Sequence, residues 1–407
     1  MSPIRKFTVS RDDSVYEAWP DLVLSGERLI CTFTECTHHR DRNRSRIVIT
    51  HSDDRGRTWS PKRPMTGYGD RDFYFNNSRL SVMPDGSLVF IVDRVDGTGK
   101  YETGDGTVQY IMRGTPDGES WSDPVILPFP GIVPDKYRVL SDGRHIIVNH
   151  TRNPETGKLF VRMIASGDGG VSWSEPVTVA DDPRYNLCEA SILPIGESDL
   201  VCFMRENSGL GIDCLKTVSH DLGRSWGPVE KMPIPGCHRP VSGHLSDGRI
   251  FLTYRFLQGG RGWMGDRTQN FFSAIFDDAT ALESERKKMA VRIMPIDYDR
   301  SVHSDLGYSG WVQFPDGEIY IVNYINDDAP KGQIRGYSLR PGDIVFGEKK
   351  KPEHAGIKRY LQWRTQTVCA AFLPRCSRLL TKTTGSIPKL FPASSNSTSG
   401  RASAVST

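Results

Sequence analysis

One eight-residue phrase recurs along the chain and limits the folds that the chain can adopt. It reads SDDRGRTW at 52–59, SGDGGVSW at 166–173 and SHDLGRSW at 219–226, and a shortened copy, TPDGESW, stands at 115–121. A single match would carry little weight, but three full copies indicate a repeated structural unit. The fold is therefore expected to consist of several copies of one unit packed side by side.

A second phrase combines a glycine turn with an apolar strand and occurs six times. Examples are PDGSLVFIV at 84–92 and SDGRIFLTY at 246–254, in which glycine accepts the positive φ of a tight hairpin turn. The six turn glycines are Gly26, Gly86, Gly143, Gly196, Gly248 and Gly317. Neighbouring turns are 52 to 69 residues apart, a length that suits one four-stranded blade. The pattern predicts an all-β fold, a six-bladed β-propeller.

Three other repeat or sheet architectures fit this pattern less well. The Gly-His and Trp-Asp pairing of WD40 repeats does not recur, and the double-glycine pattern of kelch repeats is absent. A β-sandwich would not repeat at this period.

We interpret the phrase Ser-x-Asp-x-Gly-x-Ser/Thr-Trp as a hairpin turn late in the blade. The Asp carboxylate can accept backbone N–H bonds within the turn, and Gly can take a backbone conformation closed to other residues. The Trp ring is then expected to pack back onto the blade. The phrase locates blades, and its aspartates are expected to be structural.

The composition is that of a turn-rich soluble protein. Among 407 residues there are 39 Gly and 26 Pro, and no apolar run is long enough to span a membrane. The start, MSPIRKFTVSRDDS, lacks the apolar segment of a signal peptide, so a cytoplasmic location is the default expectation. Residues 1–353 carry 44 basic and 49 acidic side chains, which gives no basic bias for nucleic-acid binding.

The C-terminal segment differs from the body of the chain in charge and composition. Eight Lys or Arg residues and no Asp or Glu follow position 353, and the last residues are rich in Ser. Residues 10–348 are therefore expected to form the propeller, and residues 349–407 a disordered basic tail. The eight cysteines form no CxxC pair and are expected to be buried free thiols.

The eight-residue phrases are Asp-boxes, also called bacterial neuraminidase repeats. With six strand-turn units at this spacing, residues 10–345 resemble the sialidase superfamily of six-bladed propellers. This resemblance implies an exo-acting glycoside hydrolase that acts on a glycan or glycoconjugate, with no cofactor and no metal. Asp-boxes also occur in other glycosidases and in proteins that are not enzymes, so the function has to be argued from the site.

In a propeller of this type the strand before each turn glycine lines the central axis. Polar residues stand at the matching positions, nine residues before the glycine in four blades and seven before it in the fourth blade. These residues are Glu17, Asn77, Arg239, Tyr308 and, in the fourth blade, Glu189. A scaffold would need only small apolar residues there, so the axis is predicted to be a functional site.

The resemblance implies catalytic roles for residues in two blades. GYSGWVQFPDGEIYIVNY resembles the strand that carries the nucleophile of the family, which places Tyr308 in that role. CEASILPIGESDLVCFMREN resembles the stretch in which a Glu precedes an Arg that binds the substrate. Glu189 would then activate the tyrosine, and Arg205 would bind the carboxylate of the sugar.

Two further roles follow from the resemblance. GDRTQNFFSAIF resembles the strand with the last carboxylate-binding arginine, here Arg267. The loop before the first Asp-box stands where the family carries its acid/base aspartate, and it offers Asp41. Other residues in neighbouring loops compete for this role, namely Asp70, Asp72 and the His38–His39 pair. The two histidines lack a third ligand at a suitable spacing for a metal.

The residue types suit the chemistry of this family. Sialidases use a tyrosine as nucleophile, because an anionic nucleophile would be repelled by the carboxylate on the anomeric carbon of the sugar. A neutral phenol needs a neighbouring carboxylate to take its proton. An aspartate on the other face protonates the leaving oxygen and later activates water, and arginines hold the sugar carboxylate by paired N–H bonds.

One position departs from the family pattern. The first substrate-binding arginine of the family belongs on the first strand of blade one, where VYEAWPDLVL places Glu17 and no arginine. Glu17 would repel a sugar carboxylate, unless Arg79 and Arg239 supply the missing charge. Two alternatives to a sialidase therefore remain open: a glycosidase for another sugar, such as a uronate, and a catalytically inactive glycan-binding propeller.

Overall fold

The predicted six-bladed β-propeller is confirmed by the pairing of the strands. The computed structural model describes residues 4–40, 44–69, 73–96, 106–258 and 268–344. Within these ranges, 24 strands form six four-stranded antiparallel sheets, and each sheet is one blade. Blade one consists of four consecutive strands, as do the next four blades, and only blade six takes a strand from the opposite end of the chain.

The strand preceding the first blade and the strands of blades one to three have the following bounds. They are β1 (Arg5–Ser10); β2 (Tyr16–Ser25), β3 (Arg28–Cys36), β4 (Arg46–Ser52) and β5 (Arg63–Pro64) in blade one; β6 (Phe73–Val82), β7 (Leu88–Asp96), β8 (Thr107–Gly114) and β9 (Val125–Leu127) in blade two; and β10 (Arg138–Val139), β11 (His145–Arg152), β12 (Leu159–Ser166) and β13 (Val177–Ala180) in blade three.

Blades four to six continue in the same way, with three short helices near the ends of blades five and six. The elements are β14 (Leu187–Ile195), β15 (Asp199–Glu206), β16 (Leu215–Ser219) and β17 (Glu230–Lys231); β18 (Cys237–His244), β19 (Ile250–Gln258), β20 (Thr268–Phe276) and β21 (Arg292–Tyr298); and β22 (Leu306–Gln313), β23 (Ile319–Ile325) and β24 (Gln333–Leu339). The helices are α1 (Asp278–Leu282), a 3₁₀ turn at Arg286–Lys288 and α2 (Pro341–Ile344); the first two lie between β20 and β21.

The ring is closed by pairing between the two ends of the propeller. Strand β1 is the outermost strand of blade six and pairs antiparallel with β24, with Lys6 opposite Tyr337 and Phe7 opposite Gly336. This pairing covers the edge of the last blade and ties the first strand to the last.

The first strands contact one another between blades one and two, four and five, five and six, and six and one. The contact between blades six and one is especially close, because a Cβ on Gly310 would lie 2.4 Å from the backbone nitrogen of Leu22. Apolar clusters fill the space between the blades, and the six cysteines among the described residues are buried and free. No helix in the described ranges is long and apolar enough to cross a membrane.

The Asp-boxes are the turns between the third and fourth strands of the blades, as predicted. In the box at 52–59, Ser52 accepts a hydrogen bond from the Gly56 amide at 2.8 Å and donates one to Asp54. Asp54 in turn accepts hydrogen bonds from the amide and the hydroxyl of Thr58, which lower the pKa of Asp54 to about 2. The predicted tail, residues 349–407, lies outside the described residues.

Candidate active site at the propeller axis

In five blades the first strand carries one non-glycine residue in the left-handed backbone conformation, and in blade three Val133 holds the equivalent place five residues before β10. The φ angles of these residues lie between 48° and 53°. We call the six residues the inner ring: Trp19, Asn77, Val133, Glu189, Arg239 and Tyr308. In five blades the strand pairing shifts register at this residue, as in a β-bulge. Such strained positions cluster at functional sites, because the fold has to hold them in place.

A second set of residues stands beside the inner ring on the second strand of each blade. Each of these residues pairs with the residue that immediately precedes an inner-ring residue. We call this set the second ring: Thr34, Asp93, His150, Arg205, Arg255 and Tyr324. In four cases the second-ring residue contacts the inner-ring residue of the following blade. The pairs are Asp93 with Val133, His150 with Glu189, Arg255 with Tyr308 and Tyr324 with Trp19.

The two rings bring a phenol, a carboxylate and a guanidinium together. The Tyr308 hydroxyl donates a hydrogen bond to Oε1 of Glu189, and Nη1 of Arg205 donates to the same oxygen at 2.7 Å. Tyr308 and Glu189 are only 8% and 6% exposed, so these contacts are formed out of bulk water. The structure thus unites three of the residues that the sequence placed in the site, from blades four and six.

The protonation states in this cluster are set by burial and charge. Burial by itself would raise the pKa of Glu189, but the charges of Arg205 and Arg255 outweigh it and lower that pKa to about 2. Burial and the charge of Glu189 raise the pKa of the Tyr308 phenol. At neutral pH the pair is therefore an ionised carboxylate that accepts a hydrogen bond from a neutral phenol.

The backbone of Glu189 is fixed by a histidine of the second ring. The Glu189 amide donates a hydrogen bond to Nδ1 of His150 at 3.2 Å. Burial lowers the pKa of His150 to about 3, so its imidazole is neutral and Nδ1 is available as an acceptor. His150 thereby stabilises the left-handed conformation that directs the Glu189 side chain towards Tyr308.

Two arginines of blade five flank the Tyr308 ring but differ in what they can bind. The guanidinium carbon of Arg239 lies 5.8 Å from the ring centre, and that of Arg255 lies 5.5 Å from it. Arg239 is fully buried and donates to the carbonyl oxygens of Pro134 and Ala190 at 3.0 and 3.2 Å. Its guanidinium therefore links the segment before β10 to β14 of blade four, and both of its Nη atoms already donate to carbonyl oxygens.

Several buried donors at the axis have no hydrogen-bond partner among the described residues. Four of them are the Nε atoms of Arg79, Arg205, Arg239 and Arg255, and the fifth is Nη1 of Arg79. Unpaired buried donors cost free energy, and a bound anion would satisfy them. Arg79 lies 3.5 Å from Asp21, and burial together with the charge of Arg239 lowers the pKa of Arg79 to about 10.

Glu17 does not occupy the axial position that its spacing predicted. The inner-ring residue of blade one is Trp19, seven residues before Gly26 instead of nine. The Glu17 carboxylate is fully buried and accepts hydrogen bonds from Ser10 at 2.7 Å and Lys62 at 2.6 Å. Its charge is therefore balanced by Lys62 of blade one, and Ser10 of β1 adds a second hydrogen bond.

Two predicted site residues cannot be placed, and several neighbours of the pair were missed. Asp41 and Arg267 lie outside the described residues. His150 and Arg255 had not been singled out, although each stands on the second strand of its blade, seven residues after the turn glycine. The signal was present in the repeat itself, because Arg205 occupies the matching strand of blade four.

The described fold is similar to a known repeat family and to several solved propellers. A family profile described as "BNR repeat-like domain" matches residues 69–321. A protein of unknown function from Dyadobacter fermentans has a TM-score of 0.67 at 20% identity, and the alignment covers 84% of this chain and 100% of that chain. No curated protein sequence matches the chain significantly.

Two of the similar structures are sialidases. The Hadza microbial sialidase Hz136 has a TM-score of 0.62 at 17% identity, with 84% of this chain and 69% of that chain covered. The Trypanosoma rangeli sialidase has a TM-score of 0.62 at 14% identity, with 95% and 65% covered. At these identities the likeness shows a common fold.

Proposed function

The chain belongs to the BNR repeat-like domain family, and on that premise we propose that it is a glycoside hydrolase of the sialidase type that removes a terminal acidic sugar. The observation that carries the proposal is the hydrogen bond from the Tyr308 hydroxyl to Glu189, with Arg205 on the same carboxylate oxygen. This is the arrangement that a tyrosine nucleophile requires, namely a phenol beside an ionised base.

The proposed reaction proceeds in two halves. In the first, the Tyr308 oxygen bonds to the anomeric carbon, the phenolic proton passes to Glu189, and the leaving oxygen departs with a proton from an acid on the other face. In the second, the group on the other face, now deprotonated, takes a proton from water, the water oxygen bonds to the anomeric carbon, the bond to Tyr308 breaks, and Glu189 returns the proton to the phenolate. The enzyme is restored, and the configuration of the sugar is retained.

The pKa difference within the pair decides when the proton moves. A carboxylate with a pKa of about 2 is a weak base, and a buried phenol is a weak acid, so the proton stays on Tyr308 at rest. Transfer becomes favourable only as the phenol oxygen bonds to carbon and loses its basicity. The nucleophile is therefore neutral until the transition state, which avoids repulsion from a substrate carboxylate.

The charges around the pair favour an anionic substrate. The Nε donors of Arg205 and Arg255 have no partner in the part of the chain that the structure describes, and the Arg205 side chain is the most exposed of the axial arginines. Guanidinium groups hold carboxylates by paired, charge-assisted hydrogen bonds. An acidic sugar in this site would use those donors.

A glycosidase for a different acidic sugar is the second candidate. Blade one contributes Trp19 to the inner ring where the sialidase resemblance implied an arginine, and Arg239 is occupied by carbonyl oxygens. The carboxylate of the substrate would therefore meet fewer free guanidinium groups than the sialidase resemblance implied. A uronate, which is smaller than sialic acid and also carries a carboxylate, is accordingly a second candidate substrate.

Hydrolysis of fluorogenic sialosides and uronides tests the proposal. We expect the wild-type protein to cleave one of these classes and Tyr308→Phe to lose the activity. Tyr254→Phe is the matched control, because the buried Tyr254 hydroxyl has no partner among the described residues. Binding of glycans without any hydrolysis would contradict the proposal and favour an inactive glycan-binding propeller.

A further inference from the structure

A second cluster of titratable side chains lies next to the Tyr308–Glu189 pair, and its centre is Asp305. The Asp305 carboxylate accepts hydrogen bonds from the hydroxyls of Tyr16 and Tyr324, the latter at 2.7 Å. The same carboxylate contacts Nδ1 of His39. These residues come from blades one and six, so the cluster spans the joint that closes the propeller.

Asp305 is linked to the nucleophile through the chain and through an arginine. It stands three residues before Tyr308, at the entry to β22. Nη1 of Arg255 lies 3.9 Å from Oδ1 of Asp305, and the same guanidinium carbon lies 5.5 Å from the Tyr308 ring centre. The Asp305 carboxylate and the nucleophile therefore share one cationic neighbour.

His39 sits above the inner ring at blade one. Its imidazole packs edge-on against Trp19 with ring centres 5.3 Å apart, and it also contacts the ring of Tyr16. The His39 side chain is 32% exposed, compared with 15% for Asp305, so the imidazole is open to solvent while its carboxylate partner is largely enclosed. The exposed imidazole can reach a bound substrate or water, which the enclosed carboxylate is less able to do.

The contact with Asp305 fixes how His39 can exchange protons. A carboxylate at Nδ1 holds the imidazole in the form that keeps a proton on Nδ1, and Nε2 then gives and takes the mobile proton. A histidine oriented by a carboxylate is a frequent arrangement for general acid–base catalysis.

We propose that His39, oriented by Asp305, is the acid/base group of this site. The inference deepens the proposed function and rests on it. The sequence had offered Asp41 for this role, with the His38–His39 pair as a competitor. His39 touches the reacting atoms and is the catalytic residue, whereas Asp305 acts through His39 and is a positioning residue.

The proposed steps balance in atoms and charge. As Tyr308 bonds to the anomeric carbon, Nε2 of the His39 imidazolium gives its proton to the glycosidic oxygen, and the bond from that oxygen to the anomeric carbon breaks. The neutral imidazole then takes a proton from a water molecule whose oxygen bonds to the anomeric carbon. The imidazolium is regenerated, and the carbon–Tyr308 bond breaks.

The test compares two glycosides of one sugar that differ in the leaving group. One carries an activated aryl group, whose departure needs little protonation, and the other carries a sugar alcohol group, whose departure needs a proton. We expect His39→Gln to lower kcat/KM by about 100-fold or more on the second substrate and by much less on the first. Azide should accelerate turnover of the aryl substrate by this variant and give the glycosyl azide.

Asp305→Asn and His220→Gln complete the set. Asp305→Asn should show a smaller loss with the same dependence on the leaving group, which a purely structural defect would not produce. His220→Gln is the matched control, because His220 also contacts an aspartate through Nδ1, namely Asp199 at 3.0 Å, but stands in the Asp-box of blade four. It should keep wild-type kinetics, and thermal melting of each variant reports whether the fold is intact.

Two outcomes would overturn the inference, and they can be told apart. If Asp41→Asn shows the loss that depends on the leaving group and the azide rescue, and His39→Gln does not, the acid/base group is Asp41 and the proposed function stands. If the folded wild-type protein cleaves neither glycoside of any acidic sugar, the proposed function is wrong and this inference is wrong with it.

Discussion

Glu189 and Tyr308 are 119 residues apart in the chain, yet their side chains share a hydrogen bond across the propeller axis. One lies on the first strand of blade four and the other on the first strand of blade six, and both have the left-handed backbone conformation. The propeller brings them together because equivalent positions of its blades converge on the axis. The two residues should consequently behave as one functional unit.

Removing both members of the pair should cost little more than removing one. Tyr308→Phe and Glu189→Gln are each expected to lower kcat/KM by about 100-fold or more, and the double variant should lose about the same. The reason is that a phenol without its base and a base without its phenol both leave no nucleophile. Kinetics of the three variants on the best substrate measure the coupling, and independent, additive losses would contradict it.

The stability contributed by Glu189 should depend on pH. Burial by itself would raise the pKa of Glu189, but the charges of Arg205 and Arg255 lower it by more. The folded-state pKa of about 2 therefore lies below the ordinary value of 4.5. The ionised group therefore contributes stability that is present above about pH 4.5 and is lost as pH falls through about 2. Chemical unfolding of wild type and Glu189→Gln should show a gap in unfolding free energy that narrows over this range. A gap that stays constant would contradict the assignment.

Glu17 should determine stability rather than substrate choice. Lys62 lies 2.6 Å from the carboxylates of both Glu17 and Glu35, and the side chains of these two residues are almost completely buried. Lys62→Met would leave the buried Glu17 carboxylate without its cation, whereas Glu35 keeps Arg46 at 2.6 Å, and we expect a loss of about 3–5 kcal/mol in unfolding free energy. Glu17→Gln should lower the melting temperature and leave the ratio of kcat/KM values between two acidic sugars unchanged. A change in that ratio would show that Glu17 reaches the substrate.

The Asp-box glycine of blade four should be needed for two separate reasons. Gly223 has a φ of 82°, and a Cβ there would lie 2.6 Å from Cε of Met163. Gly143 has the same φ, but a Cβ there would have no atom within 4 Å, so Gly143→Ala adds only the backbone strain of about 1–2 kcal/mol. Gly223→Ala should therefore melt at a lower temperature than Gly143→Ala. Both should retain wild-type turnover per folded molecule, and equal melting temperatures would contradict the steric reason.

The sequence by itself determined the repeat, the number of blades and the positions of their turns. Each turn glycine has a positive φ because the hairpin geometry requires it, and this requirement is local enough to be read from a few residues. The Asp-box contacts are local as well, since Ser52, Asp54 and Thr58 bond within one turn. Tyr308, Glu189 and Arg205 followed from motifs of the same short range.

The tertiary structure decided which residues face the axis. In five blades the bulge in the first strand lies seven or nine residues before the turn glycine, and a bulge adds a residue to one strand without any mark in the hydrophobic pattern. A count from the glycine therefore selected Glu17 in blade one, where the bulge places Trp19. The hydrogen bonds of the Arg239 guanidinium go to the carbonyl groups of Pro134 and Ala190, which belong to other blades. Such contacts exist only once the ring has closed, because they join residues that are distant in the chain.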